Sequence, residues 1–269
     1  LSSLSPFKLS FLRWSMAFLL LMPFTYKRII DDIDKYKKNF SYILITSVLG
    51  VTIFNSFTYL SLQTSMVINS SIMTSITPLL IIFFSWLIFK TPTYPRQFLG
   101  IILSLIGVIF IISKANFKNL IDLNFTKGDL WMLSAVFSWG LYSVLLKKID
   151  NTLSQLATLE VMIFFGLIFI FPFYIIETFD NSYFPKDSNE FLMISYVAIF
   201  ASITSFFAWN KGVSILGANK ASLFLHLIPV FSSIWAIFFL GENFSFFHLL
   251  GTAFIIFGII LSNLNNKSI

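Results

Sequence analysis

The stretch "SSIMTSITPLLIIFFSWLIF" (70–89) opens with hydroxyls, carries Pro78 near its middle and ends as nearly unbroken hydrocarbon. Its length matches the roughly 20 residues a helix needs to cross the hydrocarbon core of a bilayer. Pro78 removes one backbone donor and crowds the carbonyl four residues back, so a kink is expected. "ASLFLHLIPVFSSIWAIFFL" (221–240) repeats the design, with Pro229 lying 151 residues after Pro78. At that offset Ser71 meets Ser222, Gly100 meets Gly251 and Gly107 meets Gly258, with no gap between the first pair and the last. Further upstream, "LLLMPF" (19–24) resembles "IFIFPF" (168–173) at an offset of 149.

Working outward from these two stretches, nine apolar segments emerge, near 7–26, 40–61, 66–89, 97–114, 129–147, 155–177, 190–211, 219–240 and 247–264. They are too long, and too poor in strict alternation, for transmembrane strands. Only 11% of the 269 residues are charged against 57% hydrophobic. Soluble domains carry about 25% charged residues, so this chain lacks the polar surface to cover itself in water. The connectors are too short to hold a folded soluble domain. The opening "LSSLSPFKLSFLRW" lacks the basic leader of a signal peptide and is followed by many more spans.

Cysteine is absent, as are HExxH, a Gly-rich phosphate loop and a pair of intramembrane aspartates. The sequence therefore points to no catalytic group, metal or cofactor. The net charge of +6 lies in short segments between apolar runs. That pattern fits a membrane surface and gives no basic stripe for nucleic acid. With the 26–39 loop in the cytoplasm, that side collects Lys27, Arg28, Lys35, Lys37, Lys38, Lys90, Arg96, Lys147, Lys148, Lys211, Lys220 and Lys267. The other side holds Lys8, Lys114, Lys118, Lys127 and Lys186. The excess of Lys and Arg predicts a multi-pass protein of the cytoplasmic membrane with its C-terminus cytoplasmic.

The repeat leaves segment 129–147 without a partner, because its counterpart would precede residue 1. The expectation is an all-α polytopic bundle of two five-helix repeats, 1–114 and 129–264, with the first helix of the first repeat missing. Five is odd, so the repeats are inverted across the membrane, a device of transporters that enclose a midplane site.

"LSLQTSMVINSSIMTSITPLLIIFFSWLIFKTPTYPRQFLGIILSLIGVIFII" and "GVSILGANKASLFLHLIPVFSSIWAIFFLGENFSFFHLLGTAFIIFGIIL" resemble the two copies of the EamA domain in the drug/metabolite transporter superfamily. "GDLWMLSAVFSWGLYSVLLKK" and "SPFKLSFLRWSMAFLLLMPF" resemble opening helices of such domains. The resemblance implies ten helices, both termini cytoplasmic, and a central cavity for a small organic solute. One departure is visible: "LGENF" (240–244) keeps the family's Gly-Glu, whereas "FKTPT" (89–93) does not, so Glu242 has no acidic twin at Thr91. The family spans exporters of amino acids, metabolites and drugs.

Within the spans, Ser71, Thr74, Ser75 and Pro78 follow the i, i+3, i+4, i+7 spacing of one helix face. Ser222, His226 and Pro229 occupy the equivalent face. Further stripes are Thr52, Asn55, Ser56, Tyr59 and Gln63; Trp131, Ser134, Ser138 and Tyr142; and Ser202, Ser205 and Trp209. Helix packing through small hydroxylated residues is one reading of each stripe. Cavity lining is the other, and it is favoured for Asn55, Tyr59, Tyr142 and Trp209, which are large and carry groups that need partners. The predicted site, between the kinked helices, comprises Asn55, Tyr59, Ser71, Thr74, Tyr142, Ser205, Trp209, Ser222 and His226. The kinks are expected to free the carbonyls of Thr74 and Leu225.

Arg13 and Glu160 lie about two turns into their helices, to snorkel or to pair with a neighbour. His226 is either a neutral histidine bonded to Ser or Thr on another helix, or a proton carrier or solute ligand. A proton is the candidate coupling ion, and the oligomeric state is open. With two formal charges inside the spans, the expected solute is neutral or zwitterionic, amino-acid-like, and exported. A channel or lipid scramblase, and a non-transporting assembly subunit, are the competing readings.

Overall fold

The computed structural model describes residues 4–116, 118–121, 123–180, 185, 187–241 and 243–263; Glu242, Lys186 and Lys267 lie outside these. Nine helices among the described residues are long and apolar enough to cross a membrane. They are α1 (Pro6–Asp31), α2 (Phe40–Ser61), α3 (Val67–Phe89), α4 (Pro95–Ile112), α5 (Lys127–Lys148), α6 (Gln155–Asp180), α7 (Ser188–Leu216), α8 (Ala218–Leu240) and α9 (Phe246–Asn263). No strand occurs among the described residues.

Local chemistry sets the ends. Pro6 and Pro95 open α1 and α4 after the extended residues Ser5 and Tyr94, since proline's fixed φ and missing N–H suit the first turn. α5 begins with a capping box, in which the Thr126 N–H donates to Asp129 at 2.6 Å, satisfying donors that the first turn leaves free. α3 and α8 end at left-handed residues, Lys90 (φ 52°) and Gly241 (φ 69°). Only Gly241 adopts that conformation without a Cβ penalty.

Irregularities of the same kind recur at two places along the chain. α1 and α6 each run 26 residues with one internal proline, Pro23 and Pro172. α2 and α7 each contain an eight-residue π-helical stretch, Ser47–Phe54 and Val197–Thr204. Both breaks expected at the prolines are present. Ile76 and Leu227, 151 residues apart, share φ −77° and ψ −13° and precede the straight segments Thr77–Phe89 and Ile228–Leu240. The carbonyls expected to be free are not left bare. Thr77 Oγ1 donates to the Thr74 carbonyl at 2.5 Å, and the Ile228 N–H donates to the Leu225 carbonyl. Buried backbone acceptors away from water recruit whatever donor is near.

α4 and α9 pack antiparallel through glycine. Gly100 faces Gly258, and a β-carbon on Gly107 would lie 2.5 Å from the Gly251 carbonyl oxygen. Each contact is the image of the other at the 151-residue offset. Small residues here let the backbones approach closely enough for van der Waals packing, the main attraction between helices in lipid. On the other side of the bundle, Trp14, Tyr142, Met162 and Phe206 lie in one buried cluster that ties α1, α5, α6 and α7 together. α5 also packs along α2 and α3. No residue of Ile228–Leu240 is buried.

Candidate functional site: two cavities across an apolar barrier

Two cavities enter the bundle at opposite ends of α4 and α9. The first, of about 530 Å³, is lined by Arg96 and Gln97 at the start of α4 and by Ser262 at the end of α9. The second, of about 630 Å³, is lined by Val108 and Ile111 near the end of α4 and by Phe247 and His248 at the start of α9. Between them lies an apolar cluster of Ile82, Ile101 and Leu223. A second cluster, Val108, Ile111 and Ile255, backs the second cavity, with Val108 and Ile111 on its wall. The order is the same along four helices. On α4 it runs Gln97, Ile101, Val108; on α3, Ser85, Ile82, Ser75; on α8, Lys220, Leu223, His226; and on α9, Ser262, Ile255, His248.

The predicted site residues do not converge on one site. Ser71, Thr74, His226 and Pro229 share the second cavity. Tyr142 and Trp209 line neither of these two cavities, and Tyr142 reaches the first only through Asn210. The Tyr142 hydroxyl donates to Asn210 Oδ1 at 2.6 Å, Trp209 Nε1 donates to Ser143 Oγ at 3.1 Å, and both rings pack on Trp139. Asn210 itself lines that cavity. Tyr59 accepts from Arg13 Nη1 at 2.7 Å. Asn55 and Ser205 turn back on their own helices, donating to the carbonyls of Gly50 (2.8 Å) and Phe200 (2.7 Å), five residues earlier. That spacing satisfies the π-helical turns, so these two, 150 residues apart, are matched in role. Ser222 is fully buried and donates to the Asn219 carbonyl. Pro78 is buried at the start of Thr77–Phe89.

His226 bridges α8 to α3 and α4. Its Nδ1 lies 2.6 Å from Ser104 Oγ on α4, and its Nε2 lies 2.9 Å from the Ser75 carbonyl on α3. Nε2–H donating to that carbonyl leaves Nδ1 to accept from the Ser104 hydroxyl, the arrangement of a neutral imidazole. Ser75 is the residue 151 positions before His226, so the ring reaches the backbone of its own counterpart. Other stripe residues form seams between helices: Thr52 Oγ1 donates to the Gly166 carbonyl at 3.0 Å, and Ser138 Oγ to the Leu49 carbonyl at 2.7 Å.

The intramembrane charges follow different rules. Arg13 is buried, with Nε 2.5 Å from Ser202 Oγ and Nη2 2.9 Å from the Ala201 carbonyl, so it pairs rather than snorkels. Glu160 is 2% exposed, and neither carboxyl oxygen has a hydrogen-bond partner among the described residues. It stands beside an apolar groove formed by Phe18, Tyr26, Tyr36, Phe40 and Phe164.

Sequence reasoning missed the residues that make the first cavity polar: Arg96, Gln97, Lys147, Asn210 and Lys220. Asn210 carried a signal, a polar amide in an apolar run directly after Trp209. The cations carried none beyond the charge bias of the loops.

The profile of the EamA-like transporter family matches residues 1–113 and 126–264. An uncharacterized transporter of Archaeoglobus fulgidus is 26% identical over 265 residues, covering 97% of this chain and 89% of its own length. The uncharacterized transporter YyaM of Bacillus subtilis is 25% identical over 230 residues, covering 86% and 75%. The uncharacterized inner membrane transporter YicL of Salmonella typhimurium is 25% identical, covering 96% and 85%. A solved crystal structure superposes with a TM-score of 0.75 at 16% identity, over 97% of this chain and 89% of that one, a likeness of fold alone.

Proposed function

Because the chain belongs to the EamA-like transporter family, we propose that it is a secondary transporter that moves a small organic metabolite across the cytoplasmic membrane by alternating access. The direction proposed is export, and the Lys- and Arg-rich face, with the C-terminus, is the cytoplasmic one. The observation that carries the reading is the order along four helices: a polar cavity, an apolar barrier, then a cavity from the opposite face. A channel needs one continuous polar path, and a barrier of Ile82, Ile101 and Leu223 interrupts it. Alternating access needs this barrier, because the solute must never meet both sides at once.

In this reading the repeats 1–114 and 129–264 are inverted halves that exchange the exposure of a shared site by rocking. Asn210, held by Tyr142, meets the solute at the inner end of the first cavity, Trp209 is the proposed aromatic contact on entry to the barrier, and Ser71, Thr74 and His226 meet the solute on the way out. Asn55 and Ser205 keep the π-helical turns in shape, Tyr59 holds Arg13, and Ser222 packs.

The test is flux in proteoliposomes. Saturable, stereoselective uptake is the expected result, with Trp209→Ala reducing solute affinity about tenfold, since removing a buried polar partner costs about 1–3 kcal/mol. Ohmic conductance would replace this reading with a channel, lipid scrambling with a scramblase, and no flux of any kind with an assembly subunit.

A further inference from the structure

We infer that the first cavity is built for an organic carboxylate with an apolar body, a choice of solute class that rests on the transporter reading above. Four charged residues line it: Arg96, Lys147, Lys220 and Asp150. None of the three cations has an ion-pair partner among the described residues, where the ion pairs are Lys35–Asp32 and Lys37–Asp34. The acid does not neutralise them. Asp150 accepts from the Thr152 backbone N–H at 2.8 Å, and that bond holds its carboxyl below the ordinary carboxylate range. The wall therefore carries a net charge of about +2, and low-dielectric walls of one sign concentrate ligands of the other.

A basic membrane face is expected from topology alone, so the arrangement matters more than the count. Elsewhere on the same face, Lys35 and Lys37 are paired with aspartates and Lys90 lies over the Trp86 ring, 5.0 Å from its centroid. Arg96, Lys147 and Lys220 come from three different helices and converge on one cavity. Lys147 Nζ is held at its wall, 5.2 Å from the centroid of Phe89.

Deeper in, the lining changes character. Val144, Met162 and Val213 form an apolar stretch. At its end Asn210 spends its carbonyl oxygen on Tyr142, leaving its amide N–H groups to donate. The cavity thus offers cations at the mouth, hydrocarbon along the body and a neutral donor at the base. An anion with an apolar body matches that sequence; a cation would meet the mouth with like charge. The expectation of a neutral or zwitterionic solute counted only the charges inside the spans, whereas these cations sit at helix ends and are brought together by the fold.

Three compounds of one shape and different charge test this: phenylacetate, phenylacetamide and phenethylamine, titrated against the purified full chain by equilibrium binding and by thermal shift. The expected result is phenylacetate at least tenfold tighter than the amide and the amine weakest, with the anion preference shrinking as ionic strength rises. The double variant Arg96→Gln/Lys220→Gln should bring phenylacetate down to the affinity of the amide. Lys90→Gln, which removes a lysine outside the cavity, should leave the preference intact. Equal binding of amide or amine overturns the inference, as does a double variant that keeps the preference. Saturable flux of neutral solutes without anion preference overturns it while leaving the transporter reading standing; loss of all saturable flux removes both.

Discussion

The hairpins α3–α4 and α8–α9 have the same plan and different surroundings. Their straight helices share bounds at the 151-residue offset, Thr77–Phe89 with Ile228–Leu240 and Pro95–Ile112 with Phe246–Asn263. Yet Phe84 is 5% exposed and its counterpart Trp235 is 58% exposed. The cause is a neighbour. α5 lies along α3, where Phe84 and Phe137 meet edge to face at 5.6 Å, and no described helix takes the equivalent place on α8. Burial inside a membrane is thus assigned by which helices dock, since lipid tails are as apolar as the side chains themselves.

The largest expected effect breaks what the hairpins share. Gly107→Ala drives a methyl group into the Gly251 backbone, which cannot yield as a side chain can. Thermal denaturation in detergent should show a loss of about 3 kcal/mol, the upper range for overpacking, and Gly258→Ala across the seam should cost a similar amount. Gly212→Ala, with nothing within 4 Å, should be nearly silent. If only one side of the seam is sensitive, the two-fold relation fails.

Next comes the difference itself. Phe84→Ala should cost about 3 kcal/mol by removing a packed ring, while Trp235→Ala should fall within about 0.5 kcal/mol, as for unpacked surface positions.

A smaller effect separates the two residues at the join. His226→Ala removes the donor to the Ser75 carbonyl and the partner of Ser104, so a loss of about 2 kcal/mol is expected from buried groups left unpaired. Ser75→Ala should register below about 0.5 kcal/mol, because its hydroxyl serves only the Ile72 carbonyl on its own helix. Backbone amide exchange around Leu79 and Leu80 should rise in the first variant and stay unchanged in the second. The smallest effect is Tyr142→Phe, about 1 kcal/mol of stability, detectable beside a severalfold drop in solute affinity as Asn210 loses its partner.

Much of this was legible in advance. Pro78 and Pro229 announced both breaks, because proline acts through its own backbone, whereas the four glycines were legible only as a repeat and it was the fold that set them face to face. The polar stripes were legible only by face. Ser71 and Thr74 do reach a cavity, but Thr52 and Ser138, equally polar and equally spaced, donate to carbonyls on neighbouring helices instead. Helical periodicity says which side of a cylinder is polar and not what stands opposite.

The sequence by itself determined the nine apolar spans found among the described residues and the places where two of them break before a proline. In a bilayer the backbone must satisfy itself within each segment, so length, proline and glycine act locally and can be read locally. The tertiary structure alone decided that Arg13 meets Ser202 across 189 residues, that Tyr142 meets Asn210, and that Arg96, Lys147 and Lys220 face one cavity. Those meetings depend on which helix docks beside which. Apolar faces that are equally at home in lipid carry no hydrophobic gradient to announce the choice.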